Sequence, residues 1–285
     1  MKKLTSGSNR ILSIIALLFS ACSGGCGILG TGRGPVPPPV PKDVVVAALR
    51  ERADHFFTVK DGSASLLIQI QTGENTAQRV SLGAGFAFDR LRPGLWLLAD
   101  KVGQEIFTLR ANNDRFWLEL PRSHEIVTGG PEAYYKLPYL IYPYEATLWF
   151  GSPEWLGLTL EATQMHVEPE YYTFDVYSAG QLARTVMVDR RTLTVTAIAE
   201  YDLLGRLSTE VLMSNYGKAD SMDFPFHLTV TRPLQGCSMQ LRLGSPKFNQ
   251  ELKAALFEPK DWTDWRHVDL DREPLSSVKG LEAEQ

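Results

Sequence analysis

Histidine is the residue best suited to proton transfer and metal ligation, and the five here, His55, His124, His166, His227 and His267, are widely dispersed. Only His166-Val-Glu168 sets an imidazole and a carboxylate two residues apart, which on a strand puts them on one face. A metal centre needs a second pair of ligands, and none backs this one up. No G-x-S-x-G elbow, phosphate loop or dinucleotide fingerprint occurs. Gly83-Ala84-Gly85 lies within a strand pattern with no helix after it, so it marks a bulge or a close backbone approach. Asp and Glu fall mostly at turns and on mixed faces, where they serve solubility, and nothing nominates an acid–base pair. The expectation is therefore no enzyme, no metal and no cofactor.

Cysteine chemistry stands apart. Lys2, Lys3 and Arg10 precede an eleven-residue apolar run, Ile11–Ala21, which ends Leu18-Phe19-Ser20-Ala21-Cys22. A basic start, a short apolar run and small residues make a signal peptide, too short to span a bilayer. Small residues directly before a cysteine resemble the lipobox of lipoproteins, which implies a diacylated Cys22 as the mature first residue. Cys26, after Gly24-Gly25, is the second candidate, and ordinary cleavage near Ala21 is the plain alternative. Ser23 rather than Asp after the cysteine favours, by the same analogy, an outer-membrane destination. Removing residues 1–21 takes away three positive charges and no negative ones, moving the net charge from −4 to −7. An acidic chain without a Lys/Arg run does not suit nucleic acid. With Cys22 lipidated, only Cys26 and Cys237 remain, so stability must come from a core rather than a disulfide framework.

The stretch Pro131–Gly151 holds Tyr134, Tyr135, Tyr139, Tyr142 and Tyr144 together with Leu137, Leu140, Ile141, Leu148 and Trp149. Nothing in it alternates with period two, and Pro138 and Pro143 each remove a backbone donor, so two or three short helical turns are expected. Such an apolar insert is either an ordinary core helix or a lid over a greasy cavity. The strands before it carry a surplus of aromatic residues, Phe86, Phe88, Trp96, Phe107, Phe116 and Trp117. Packing accounts for most of them; the rest are candidates to line a cavity with few polar groups, which suits acyl chains.

These residues need a frame. Ser23–Pro41, with six glycines and then Pro-Val-Pro-Pro-Pro-Val-Pro, reads as a tether, flexible and then semi-rigid. Asp43–Phe57 has helical spacing with Asp43 as its cap and Leu49, Ala53 and Phe56 on one stripe. Alternating segments before and after the insert read as eleven or twelve antiparallel strands, from Ala64–Gln71 through Gly94–Lys101 to Cys237–Leu243. So many strands in one sheet curl or close, which gives a curled sheet with helices on its concave side; a flat sandwich is the second possibility. A last helix is expected at Pro246–Leu256, and residues 261–285 read as a poorly ordered acidic tail.

The order of these parts resembles the Lol-type lipoprotein carriers and receptors, the LolA/LolB-like proteins. The resemblance rests on the helix Asp43–Phe57, the strand with Leu66, Ile68 and Ile70, and the stretch Phe86-Ala-Phe88-Asp-Arg90-Leu-Arg92-Pro-Gly94. It continues through Ile106-Phe-Thr-Leu-Arg110, Phe116-Trp-Leu118 and Phe257-Glu-Pro259, covering residues 43–260. It implies a mostly β (α+β) fold, an open half-barrel of about 11 strands closed by a broken helical lid. It also implies binding of the acyl chains of lipidated proteins or lipids, in lipoprotein sorting or lipid transfer. The cavity residues would be Phe86, Phe88, Trp96, Phe107, Trp117, Leu137, Leu140, Ile141, Leu148 and Trp149. The partners implied are acyl chains, the outer membrane through lipidated Cys22, and a periplasmic carrier protein. The chain departs from the receptors at their exposed apolar loop, since Val102-Gly103 and Asn112-Asn-Asp114 are short. A structural envelope lipoprotein with a filled core is the competing reading.

Overall fold

Alternating apolar residues build nearly everything in this fold. The computed structural model describes residues 35–73, 76–159, 163–219 and 221–281. Among them, β1 (Thr58–Gly73), β2 (Thr76–Asp89), β3 (Gly94–Lys101), β4 (Gln104–Ala111), β5 (Phe116–Leu120) and β6 (Glu125–Gly129) form a meander. A second meander consists of β7 (Thr163–Val167), β8 (Tyr171–Ser178), β9 (Gln181–Asp189), β10 (Val195–Tyr201), β11 (Leu207–Ala219), β12 (Met222–Arg232) and β13 (Cys237–Arg242). β14 (Lys247–Phe248) and β15 (Arg266–Asp269) complete one sheet in the order 15-6-5-4-3-2-1-13-12-11-10-9-8-7, with β14 pairing β1 beside that path. β1 and β13 join the two meanders through the antiparallel register Ser65↔Arg242 to Ile70↔Cys237. The outermost strands, β15 and β7, do not pair with each other, so this mostly β sheet is open and curled around its helices.

α1 (Lys42–His55) buries Val45, Val46, Leu49 and Ala53, and Phe56 follows on the same stripe. The helix starts one residue earlier than its spacing suggests, with Pro41 at the cap and no side-chain cap bond. Asp43 is therefore not the cap; it sits in the first turn, where a carboxylate meets the positive end of the helix. The proline run before it is partly held: Arg190 Nη2 donates to the Pro37 carbonyl at 2.8 Å, and the Val40 N–H donates to Tyr172 Oη at 2.8 Å.

The insert after β6 is broken as its prolines require. A 3-10 turn covers Pro131–Lys136, followed by α2 (Pro143–Trp149) and α3 (Pro153–Leu156). Each piece opens on a proline, whose missing N–H would be unpaired at that position anyway.

Two expectations at the C-terminus need correction. Pro246–Leu256 contains no α-helix: Lys247 and Phe248 pair with Lys60 and Val59, and only Ala254–Leu256 turns, as a 3-10 element. The backbone there is taken up by β1 and by the Asn249 side chain, which accepts from the Phe57 N–H at 3.1 Å and donates to the His55 carbonyl at 2.9 Å. Nor are residues 266–281 a loose tail. β15 adds in parallel to β6, and Val268, Leu270 and Val278 are fully buried. Fewer alternating residues than a sheet-forming run normally shows hid it in the sequence. With β6 and β14, it raises the strand count from the expected eleven or twelve to fifteen among the described residues.

Candidate functional site

The inner face of the sheet and the broken insert share one apolar cluster. Phe86 and Phe88 on β2, Leu95 and Leu97 on β3 and Phe107 on β4 point into it. From the insert, Leu137, Leu140, Ile141, Leu148 and Trp149 enter the same cluster, each buried. Trp149 is the wedge: its ring lies 5.3 Å from Phe86 and 5.6 Å from Phe224, and its indole N–H donates to the Pro225 carbonyl at 3.0 Å. Phe150 follows at 5.3 Å from Phe88. The space left between α1, Trp149 and β12 is about 10 Å³, so side chains of helix, insert and sheet pack closely there.

Two of the aromatic residues nominated for this cavity lie elsewhere. Period-two alternation turns Trp96 to the other face of β3, where it packs with Ala87, Leu252 and Phe257. Its ring covers Gly85 so closely that a Cβ there would sit 2.7 Å from it, which accounts for the glycine in that strand. Trp117 stands opposite Arg110 on the same outer face. Arg110 is buried there, donating to Glu119 at 2.8 Å and to the Leu256 carbonyl at 2.7 Å.

The insert is fixed by polar contacts that its composition gives no hint of. Arg232, at the end of β12 and 2% exposed, donates to the carbonyls of Pro138 and Leu140 and to Glu145 Oε1, the last at 2.5 Å. Its guanidinium lies 3.9 Å from the centre of the Tyr142 ring. Glu145 is wholly buried and also accepts from the Tyr142 N–H at 2.8 Å, closing the start of α2. Burial pushes its carboxyl up while Arg232 pulls it down. The Cys237 thiol reaches the Pro138 carbonyl at 2.7 Å. One arginine thus binds both pieces of chain around the Pro138 and Pro143 breaks. Its only sequence signal is a glutamate inside a stretch otherwise dominated by apolar and aromatic residues.

A second tie is nearer the surface. Tyr144 Oη donates to Glu200, which also accepts a fork from Arg184 at 2.6 and 3.0 Å. Arg184 in turn donates to the Trp155 carbonyl at 2.8 Å. Burial pushes the Glu200 carboxyl up to about 7, with the charge of Arg232 acting in the opposite direction. Beside the insert lies a cleft of about 450 Å³ whose lining includes Tyr134 and Tyr142.

Among the described residues no group of three or more His, Cys, Asp or Glu could hold a metal ion. His166 Nε2 lies 3.3 Å from Asp175 on an exposed strand face. Cys22 and Cys26 lie outside the described residues.

No protein-family model matches the chain, and no curated protein matches it in sequence. Solved structures do match in shape. A DUF1329 family protein from Desulfovibrio piger aligns over 77% of this chain and 98% of its own at a TM-score of 0.51 and 13% identity. A putative outer membrane lipoprotein-sorting protein domain from Vibrio parahaemolyticus covers 76% and 97%, at 0.49 and 11%. A LolA superfamily protein from Nitrosomonas europaea covers 78% and 99%, at 0.48 and 9%. The chain shares its fold with the DUF1329 family protein. Leading helix, open curled sheet and inserted lid stand in the order that the sequence resemblance implied.

Proposed function

We propose that this protein is a non-enzymatic lipoprotein of the cell envelope, anchored through Cys22 in the outer membrane, that takes up acyl chains of lipidated proteins or lipids beneath its lid. The observation that carries this reading is the way the lid is held. Its apolar side chains fill the half-barrel, yet the segment is cut by prolines and fastened by a buried ion pair, Arg232–Glu145. A core built only for stability gains little from such a pair, because well-packed apolar residues of similar volume serve as well or better. A buried pair that fixes one position of a movable segment is the better-attested use. In this reading an acyl chain displaces Trp149 and its neighbours, and each CH₂ it buries offsets about 0.8 kcal/mol of the packing that those side chains give up. Near-equal free energies of the closed and loaded states would permit hand-over, to or from a periplasmic carrier.

The filled interior supports a second reading, an envelope lipoprotein that serves as a structural subunit and takes no ligand. Leu140→Glu and Ile141→Glu separate the two. Under the lid reading, these changes loosen closure and alter binding of a fluorescent fatty acid or a diacylated lipopeptide, with a thermal midpoint only slightly lowered. Under the structural reading the carboxylate is buried unpaired, costs several kcal/mol and unfolds the domain. Global unfolding of both variants, with no fatty-acid binding by the parent chain, would overturn the first reading.

A further inference from the structure

The cleft beside the lid is lined largely by aromatic side chains and prolines. Tyr134 and Tyr142, 5.0 Å apart, form its floor, and Pro93, Pro143, Tyr135, Tyr144 and Trp155 its walls. Tyr135, Tyr144 and Trp155 are 62%, 38% and 47% exposed, and three large aromatic side chains left open around one hollow form a patch rather than scatter. Its only charged lining residue is Glu132, which is exposed; no Lys or Arg lines it. The Tyr144 hydroxyl is bonded to Glu200 and the Tyr134 and Tyr142 hydroxyls are buried, so the exposed Tyr135 and Trp155 carry the aromatic donors a ligand could reach.

The geometry points to a docking groove for a proline-rich segment of a partner protein in the polyproline II conformation, with a basic residue beside the prolines. Such a segment is preformed, so it loses little entropy on binding, and it docks on aromatic faces. Prolines carry carbonyl acceptors and no N–H, and those carbonyls can accept from the exposed Tyr135 hydroxyl and Trp155 indole. The single carboxylate at the rim selects a Lys or Arg flank and disfavours an acidic one. The chain itself carries a segment of this kind, Pro35–Pro41 followed by Lys42, with its five prolines exposed. In this molecule Pro37 and Val40 of that segment bond to Arg190 and Tyr172, neither of which lines the cleft. Trp149 is not among the residues that line the groove.

The experiment titrates the purified chain with three synthetic peptides, following tryptophan fluorescence: six prolines ending in lysine, six prolines ending in glutamate, and a Gly/Ser peptide of equal length. The lysine peptide is expected to bind several-fold more tightly than the glutamate peptide, and the Gly/Ser peptide not at all. Trp155→Ala and Tyr135→Ala should each weaken binding by about tenfold or more, the scale of an aromatic anchor. Glu132→Gln should abolish the preference for lysine while leaving proline binding in place. All three residues are exposed, so unchanged thermal midpoints verify that the variants fold. Equal binding of the Gly/Ser peptide, no binding of either proline peptide, or full binding by both alanine variants overturns the proposal. A concentration-dependent dimer of the full chain that a peptide of residues 34–42 dissolves identifies a second copy as the occupant and overturns the partner-protein assignment.

Discussion

Arg232 and Glu145 make the sharpest case at the level of single residues. Removing either partner leaves the other charge buried without its counter-ion, which costs about 3–5 kcal/mol. Glu145→Leu and Arg232→Met should each lower the thermal midpoint strongly. The double variant should recover most or all of that loss, and a double-mutant cycle on thermal melts reads the difference. If the double variant is as unstable as the two losses added together, the pair is not coupled. Trp149 supplies a second prediction. Trp149→Ala should cost about 3–5 kcal/mol and leave a hollow between Phe86 and Phe224. Under the lid reading that hollow should increase uptake of a fluorescent fatty acid, whereas unchanged or reduced uptake by the folded variant counts against it. The lid's apolar residues were legible from their composition, but Arg232 was not. It lies 87 residues from Glu145 in sequence and ends a strand that reads as ordinary alternation.

Among the elements, the C-terminal strap stands out because the sequence hides it. Strands β1 to β5 and β7 to β13 were readable because each alternates over several residues, and most of the turns between them carry Asn, Asp or Gly. β15 has only Val268 buried among four residues. It is placed by partners that lie far away in sequence: the Glu125 carboxylate accepts from Gly280 N–H at 2.8 Å, Lys279 N–H at 3.4 Å and Arg266 at 2.7 Å. Burial raises the pKa of Glu125, but these bonds and the Ser123 hydroxyl outweigh it and hold the carboxyl below its ordinary value of 4.5. A carboxyl whose folded pKa is lowered stabilises fully above the unfolded value and loses that stabilisation as the pH falls through the folded one. Glu125→Gln should therefore reduce stability at pH 7 and flatten the acid limb of the stability–pH curve below about 4.5. Chemical denaturation at several pH values checks this, and an acid limb of unchanged slope argues against the assignment. The two tryptophans on the outer face, Trp96 and Trp117, mark the limit of composition as a guide. It identified them as large aromatic residues, but only strand register decides which face they occupy.

For the whole molecule, the expected anchor lies before the described residues, and of the expected tether residues 35–41 are described. Cys22→Ser is expected to abolish metabolic palmitate labelling and release the chain from membranes, whereas persistent labelling moves the assignment to Cys26. The bonds made by Pro37 and Val40 bear on the tether, because they fasten its last residues to β8 and to Arg190 just after β9. The curled sheet itself was legible as one frame because its strands succeed one another in sequence within each meander. The seam between β1 and β13 was not, because it makes neighbours of strands that open and close the pair of meanders and lie far apart in sequence. That seam has a kinetic consequence. Each meander pairs its strands with near neighbours in sequence and closes short loops, while the seam must close a long one. On a chain made and delivered from its N-terminus, β1 waits with an open edge until β13 arrives. The interval between those events is when the protein is most exposed to pairing with another copy of itself, and a chaperone that shields the free edge of β1 would set the yield of folded protein.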